Sequence, residues 1–240
     1  MKIVVLDKPE IQRIKMNCDY CLHPKLKEFP MVNDVWSTHN FTIFAGSMGA
    51  GKTSLAISLL KSVFKKVFHN VFVFIPEQSR TSIDNDILKK NLPSNQLYNE
   101  LTVENLTEVY EKLQENSSEG YNSLLIIDDF QTSLKDPTII NILQKIIVKM
   151  RHLRTTTWLI QQNFQALVKP LREVVSNLVM FNLGKSQTNK VFQELIQLPK
   201  EKYDDLVKLV FQDPHDWILI NLNKSKKIYR MFDEINLEEE

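Results

Sequence analysis

At 240 residues, 43% hydrophobic and 25% charged, the chain suits one ordinary soluble α/β domain. A formal net charge of +1 excludes whole-molecule attraction as the means of holding DNA or a membrane, which leaves a local patch or a ring of repeated patches. No apolar run reaches the roughly 18 residues of a membrane span, and the apolar stretch after Met1 is too short for a signal peptide, so an intracellular, soluble protein with no membrane partner is expected.

Residues 1–40 read as a lead-in. They hold the only two cysteines, Cys18 and Cys21, which excludes a disulfide framework. The Cys-x-x-Cys spacing, with His23 just beyond and His39 further on, leaves a partial zinc site or a redox pair open. Two reduced thiols in a loop are the plainer meaning.

The core is expected over residues 41–232. Residues 41–45 form a short apolar strand that ends at Gly46. Gly46, Ser47, Met48, Gly49, Ala50, Gly51, Lys52 and Thr53 then match the P-loop pattern in full, between a strand and a helix as its mechanism requires. Its glycines let backbone N–H groups curl around phosphate oxygens, and the helix N-terminus adds a favourable dipole. Gly46, Ser47, Gly49, Ala50, Gly51, Lys52, Thr53 and Ser54 are therefore the expected ATP-phosphate contacts. Lys52 is placed to reach the β- and γ-phosphates, and the Thr53 hydroxyl to ligate Mg²⁺. A helix over residues 54–66 carries Leu55, Ile57, Leu59, Leu60, Val63 and Phe64 at helical spacing.

Residues 71–75 are the next strand, stopped by Pro76. After the loop signal at 116–120, residues 124–127 form a third, which ends in Asp128 and Asp129. A buried strand ending in an acid brings a carboxylate to the sheet edge beside the P-loop. Asp128 is the expected Mg²⁺ residue, and Asp129 is placed to polarise an attacking water. Two acids capping a turn would be the alternative meaning.

Asp136 and Pro137 read as an N-cap and first position of a helix with Ile139, Leu143, Ile146, Ile147 and Met150 on one side. Residues 156–160 and 178–181 complete five buried strands. Gln161 and Gln162 follow the first of these, where a polar side chain can sense the γ-phosphate or position water. Residues 217–222 and 227–232 form a hairpin at the sheet edge. Residues 233–240 are acidic, and a solvated tail is the ordinary meaning.

Strands apolar at every position suit cover on both faces. Their alternation with helices implies one α/β P-loop NTPase domain of the RecA/ASCE kind. Its sheet would be mostly parallel, flanked by helices, with the antiparallel hairpin at its edge.

The combination and order of four segments resembles the genome-packaging ATPases of nucleocytoplasmic large DNA viruses and their virophages, compact members of the FtsK/HerA motor superfamily. Those segments are the P-loop, Asp128-Asp129, Arg151-His152, and Gln162 followed by Leu171-Arg172. The resemblance implies a homo-oligomeric ring, hexamer or pentamer, that hydrolyses ATP with Mg²⁺. It implies that the ring drives double-stranded DNA into a capsid through a capsid or vertex partner. The expected location is the viral factory in the host cytoplasm, or the virion. The resemblance also implies that Arg151 or Arg172 supplies a positive charge to a neighbouring subunit's γ-phosphate, beside catalytic Lys52, Asp129 and Gln162. The basic cluster Lys145, Lys149, Arg151, His152 and Arg154 is a candidate DNA face or a solvated one.

Two rivals remain. A nucleoside-type small-molecule kinase would share the P-loop but has less use for a tandem acid and a strand-end glutamine. An ATP-switched DNA-binding regulator would bind DNA without moving it.

Overall fold

In chain order the elements are β1 (Phe41–Ala45), α1 (Lys52–Lys61), β2 (Asn70–Phe74), α2 (Glu77–Thr81), α3 (Ile87–Asn91), β3 (Leu97–Tyr98), α4 (Val103–Ser118) and β4 (Ser123–Asp128). They continue with α5 (Pro137–Val148), β5 (Thr155–Gln161), α6 (Lys169–Glu173), β6 (Asn177–Phe181), α7 (Lys185–Leu195), α8 (Glu201–Val210), β7 (Trp217–Asn221), β8 (Lys227–Arg230) and β9 (Asp233–Ile235). The computed structural model describes Trp36 and residues 39–83, 87–196, 199, 201–222 and 227–236. Cys18, Cys21, His23, the turn expected at 223–226 and the last acidic residues lie outside the described residues.

The strands join in one sheet of order β3-β2-β4-β5-β1-β6-β7-β8-β9. Pairing is parallel from β3 to β6 and antiparallel from β6 to β9. The all-apolar strands do receive cover on both faces. In β4, Leu125 and Ile127 pack with Leu106, Val109 and Leu113 of α4 and Leu143 and Ile147 of α5. Leu124 and Ile126 point the other way, into the core that Ala56 and Leu59 of α1 share. Each fully buried aliphatic side chain contributes about 1.5–3 kcal/mol. Because the central strands are parallel, Ala45, Phe74, Asp128 and Gln161 all end at one edge of the sheet, where ligands of open α/β sheets bind.

Several elements differ from expectation. The helix after the P-loop stops at Lys61, because Ser62 leaves helical geometry (φ −104, ψ −87) and its hydroxyl donates to the Ser58 carbonyl at 2.6 Å. Phe64 and Val67 still reach the core, through a turn. The helix α4 escaped the apolar-run reading although its signals are ordinary. The Thr102 hydroxyl caps it by accepting from Asn105 N at 3.2 Å, and Leu106, Val109 and Leu113 form its buried stripe. The acidic segment begins as a strand, with Asp233–Ile235 pairing antiparallel to β8 and Glu234 accepting from Lys227 at 3.1 Å. An edge strand tolerates such charge because one side faces water. Within the lead-in, Trp36 is fully buried against Phe64 and donates to the Thr42 hydroxyl, so the core reaches back before residue 41.

Candidate nucleotide site

The phosphate loop is shaped by what glycine lacks. A Cβ on Gly46 would lie 2.8 Å from Phe181 Cβ, closer than real side chains approach, so the loop leaves β1 by running against β6. Gly51 holds φ 102 in the left-handed region, which turns the chain sharply into α1. No side chain caps α1 and no acid occupies its first turn, so its leading N–H groups stay open to an anion. Lys52 Nζ spans the loop and donates to the Ser47 carbonyl at 2.9 Å. Burial holds the Lys52 ammonium below the ordinary lysine range, opposed by the Asp128 and Asp129 carboxylates. Ser47, Gly49 and Ser54 face solvent, and Ala50 is buried.

Thr53 Oγ1 donates to Asp128 Oδ2 at 2.6 Å. Asp128 is almost wholly buried, and burial pushes its pKa from 3.8 up to about 6. The Thr53 hydrogen bond opposes that shift, Asp129 adds to it, and Lys52 opposes it. A desolvated carboxylate beside a hydroxyl is an oxygen donor pair short of positive charge, and it fits Mg²⁺. That ion takes one or two protein oxygens and completes its shell with phosphate and water. Among the described residues no group of three or more His, Cys, Asp or Glu forms a self-sufficient metal cage.

Asp129 leaves the line of β4 with φ 60, a conformation that aspartate tolerates better than most side chains. Its exposed carboxylate accepts from Gln162 Nε2 at 3.2 Å, which ties the end of β5 to the end of β4. Beside it, Gln161 is buried and its Nε2 has no hydrogen-bond partner among the described residues, a costly arrangement next to a cleft. The sequence offers Gln161 and Gln162 alike as strand-end polar groups for the γ-phosphate or a water, and the fold buries the first and joins the second to Asp129. The cleft has a volume of about 850 Å³ and is walled by Lys52, Thr53, Asp128, Asp129 and Gln162. One arm runs between α1 and α2, past Lys61, Gln78 and Ser82.

The fold thus brings Lys52, Thr53, Asp128, Asp129 and Gln162 together and places both arginines elsewhere. Arg172, in α6, donates through Nε to Glu194 at 2.9 Å and through Nη1 to the Gln165 and Leu167 carbonyls, with its guanidinium 5.8 Å from the Phe164 ring centroid. Arg172 lies in the last turn of a five-residue helix, and its anionic partner is Glu194 of the same chain. Arg151 is exposed in the turn after α5, at the amino end of β5. The length of β5, on the order of 20 Å, separates it from the Gln161 end. Lys145, Lys149 and His152 are exposed around it, while Arg154 is half-buried and donates to Asn122 at 3.2 Å.

One contact had no sequence signal. His215 Nδ1 lies 3.1 Å from the Ala50 carbonyl of the P-loop, across a separation of 165 residues. Its neighbour Asp216 is 2% exposed and accepts from Gln212 N, Asp213 N and the Arg230 guanidinium.

A family model described as the poxvirus A32 protein matches residues 30–222. No curated protein matches the sequence. Among solved structures, the DNA-packaging ATPase B204 from Sulfolobus Turreted Icosahedral Virus is similar at a TM-score of 0.59 and 14% identity, over 79% of this chain and 96% of that one. The genome-packaging NTPase B204 from Sulfolobus turreted icosahedral virus 2, in complex with ATP-gammaS, gives 0.58 and 16%, over 80% and 97%. The cytoplasmic domain of the Thermomonospora curvata Type VII secretion ATPase EccC gives 0.56 and 14%, over 80% of this chain and 25% of that one. Such identities speak to a shared P-loop α/β fold.

Proposed function

This chain belongs to the poxvirus A32 protein family, and from that premise we propose that it is an ATP-hydrolysing motor that packages double-stranded viral DNA. The observation that carries the reading is the 2.6 Å bond from the P-loop Thr53 to the buried Asp128. It joins the phosphate loop to the carboxylate at the end of β4, which is the arrangement a Mg·ATP site requires.

In this reading Ser47, Gly49, Gly51 and the first turn of α1 cradle the phosphates, and Lys52 leaves Ser47 for the β- and γ-phosphate oxygens. Thr53 and Asp128 would hold Mg²⁺, which when bound neutralises charge developing between the β- and γ-phosphates. Gln162 occupies Asp129 Oδ1 and leaves Oδ2 to orient a water. The water oxygen attacks the γ-phosphorus as the bond to the β-phosphate bridging oxygen breaks, and its proton passes to Asp129. ADP and inorganic phosphate leave.

In this reading the motor is a homo-oligomeric ring, which lets one subunit complete its neighbour's site with an arginine. Arg172 would serve only by leaving Glu194, whereas Arg151 stands exposed on the opposite edge. Mixing tests both. Arg172→Ala or Arg151→Ala subunits, inactive alone, regain hydrolysis when mixed with Lys52→Ala subunits if that arginine acts in trans. Failure of both, with mixed rings confirmed by mass, would mean that each site is complete in one chain. DNA contact is expected to be sequence-independent and to weaken as salt rises. A capsid vertex is the docking partner of this reading, and the infected cell its location. The deciding assay is ATPase rate with and without double-stranded DNA, read with the oligomer mass. DNA should stimulate turnover in an assembled species. Phosphoryl transfer to a nucleoside with no response to DNA would favour the kinase.

A further inference from the structure

We infer that His215 is a positioning residue of the phosphate site, locking the Ala50–Gly51 peptide so that the Gly51 N–H is presented to the bound phosphates. The inference rests on the reading of the P-loop as an ATP site. The Ala50 carbonyl lies outside the hydrogen-bond ladder of α1, whose first accepting carbonyl is that of Gly51, bonded to Leu55 N at 2.8 Å. Turned out by the left-handed Gly51, the Ala50 carbonyl meets His215 Nδ1 at 3.1 Å. A carbonyl only accepts, so Nδ1 carries the proton.

In a trans peptide the N–H points opposite to the C=O of the same plane. Fixing the Ala50 carbonyl toward His215 therefore fixes the Gly51 N–H away from it. The lock matters at this plane in particular. Gly51 has no Cβ to resist rotation, so an unheld Ala50–Gly51 peptide would flip at little cost. His215 Nδ1 and the Phe181 ring lie 3.5 and 3.7 Å from where a Gly51 Cβ would sit, so the two pack side by side against the loop at this plane.

The histidine is itself held. Asp216 accepts from Gln212 N and Asp213 N at 3.0 Å each and from Arg230 Nη2 at 3.1 Å, which closes the turn between α8 and β7. Burial pushes the Asp216 carboxyl up, but the two backbone donors and the guanidinium together keep it below the usual carboxylate range. The antiparallel edge of the sheet is thus wired to the phosphate loop through Arg230, Asp216 and His215.

The test is affinity for Mg·ATPγS and, separately, for Mg·tripolyphosphate, which has phosphates and no base. His215→Ala should weaken both by the same factor, about 5- to 10-fold, as loss of one hydrogen bond would. His215→Asn, whose amide nitrogen sits close to the Nδ1 position, should recover all but about 2-fold. Asp216→Asn should act in the same direction, and combined with His215→Ala should add nothing. His215→Leu, which keeps bulk without a donor, is read in place of alanine if the alanine variant melts early. Wild-type affinity for tripolyphosphate in both the alanine and leucine variants, while Lys52→Ala abolishes binding, overturns the inference and leaves the ATP site standing. A loss confined to ATPγS also overturns it, since it would mean a contact to the base. Unchanged binding in Lys52→Ala would sink the ATP site itself.

Discussion

The two edges of the parallel sheet are both polar inside, and they treat that polarity in opposite ways. At the amino edge Asn40, Thr42, Ser176, Asn177 and Asn221 are buried and bonded to one another or to backbone. Thr42 donates to Asn40 at 2.7 Å, Phe41 N to Ser176 at 3.2 Å, and Asn221 to Asn177 at 2.9 Å. At the carboxyl edge Asp128 is desolvated, Asp129 adopts φ 60, and Gln161 Nε2 has no hydrogen-bond partner among the described residues. A satisfied network holds strands in register and asks for nothing further. A desolvated carboxylate and backbone strain beside a cleft are features that functional sites concentrate. The two edges of the sheet therefore differ in how these particular polar groups are met.

That contrast can be broken by mutation. Lys52→Ala should reduce ATP hydrolysis by at least about 100-fold, the scale of losing a principal charge at the transferring phosphoryl group. Its thermal midpoint should stay near that of the wild type, and steady-state ATPase beside a thermal melt reads both. Asp129→Asn should lower kcat by about 100-fold, as loss of a general base does, while keeping Mg·ATP affinity. Asp128→Asn should instead lose the metal-dependent part of nucleotide affinity, and equal effects of the two variants would erase the distinction between them.

The next effect is one of pH. Asp128 titrates near 6 in the fold and at 3.8 when unperturbed. The folded state therefore binds that proton more tightly, and the stability it contributes is present below about pH 4 and lost as pH rises through 6. In metal-free buffer the unfolding free energy of wild type minus Asp128→Asn should fall by about 2 kcal/mol between pH 4 and 7, with a steepest slope of about 1.4 kcal/mol per pH unit. Urea titrations across that range measure it, and a flat difference would deny the desolvation.

At the amino edge the signs reverse. Asn177→Leu removes the acceptor of Asn221 and a donor to Thr42. It should cost about 2 kcal/mol of stability and leave KM for ATP unchanged, as urea denaturation and kinetics would show. The smallest effect belongs to Glu194→Gln, which keeps a hydrogen-bond acceptor for the partly exposed Arg172 and loses only charge. A stability change below about 1 kcal/mol is expected in a thermal or urea melt.

Local spacing was enough for much of this molecule. Eight consecutive residues from Gly46 to Thr53 carry the phosphate loop, because a loop that wraps an anion with its own backbone needs only its own sequence. The all-apolar strands were legible because burial on both faces leaves no polar alternation. Asp128 and Asp129 could be read from their place at the end of such a strand. The stripe of α4 was as local as these and needed only its cap at Thr102 to be noticed.

What the tertiary structure decided is which distant side chains meet. Gln162 finds Asp129 because β5 lies beside β4, and His215 finds Ala50 because β7 follows β6 next to the P-loop strand. Arg172 has no partner legible in its own segment, and α7 brings Glu194 to it. Strand order follows from how whole faces are covered, a property of the collapsed chain and not of any window of residues. The sequence by itself therefore determined the phosphate-loop motif and the acids that end a buried strand. Packing determined which side chains orient that chemistry and which are already spoken for.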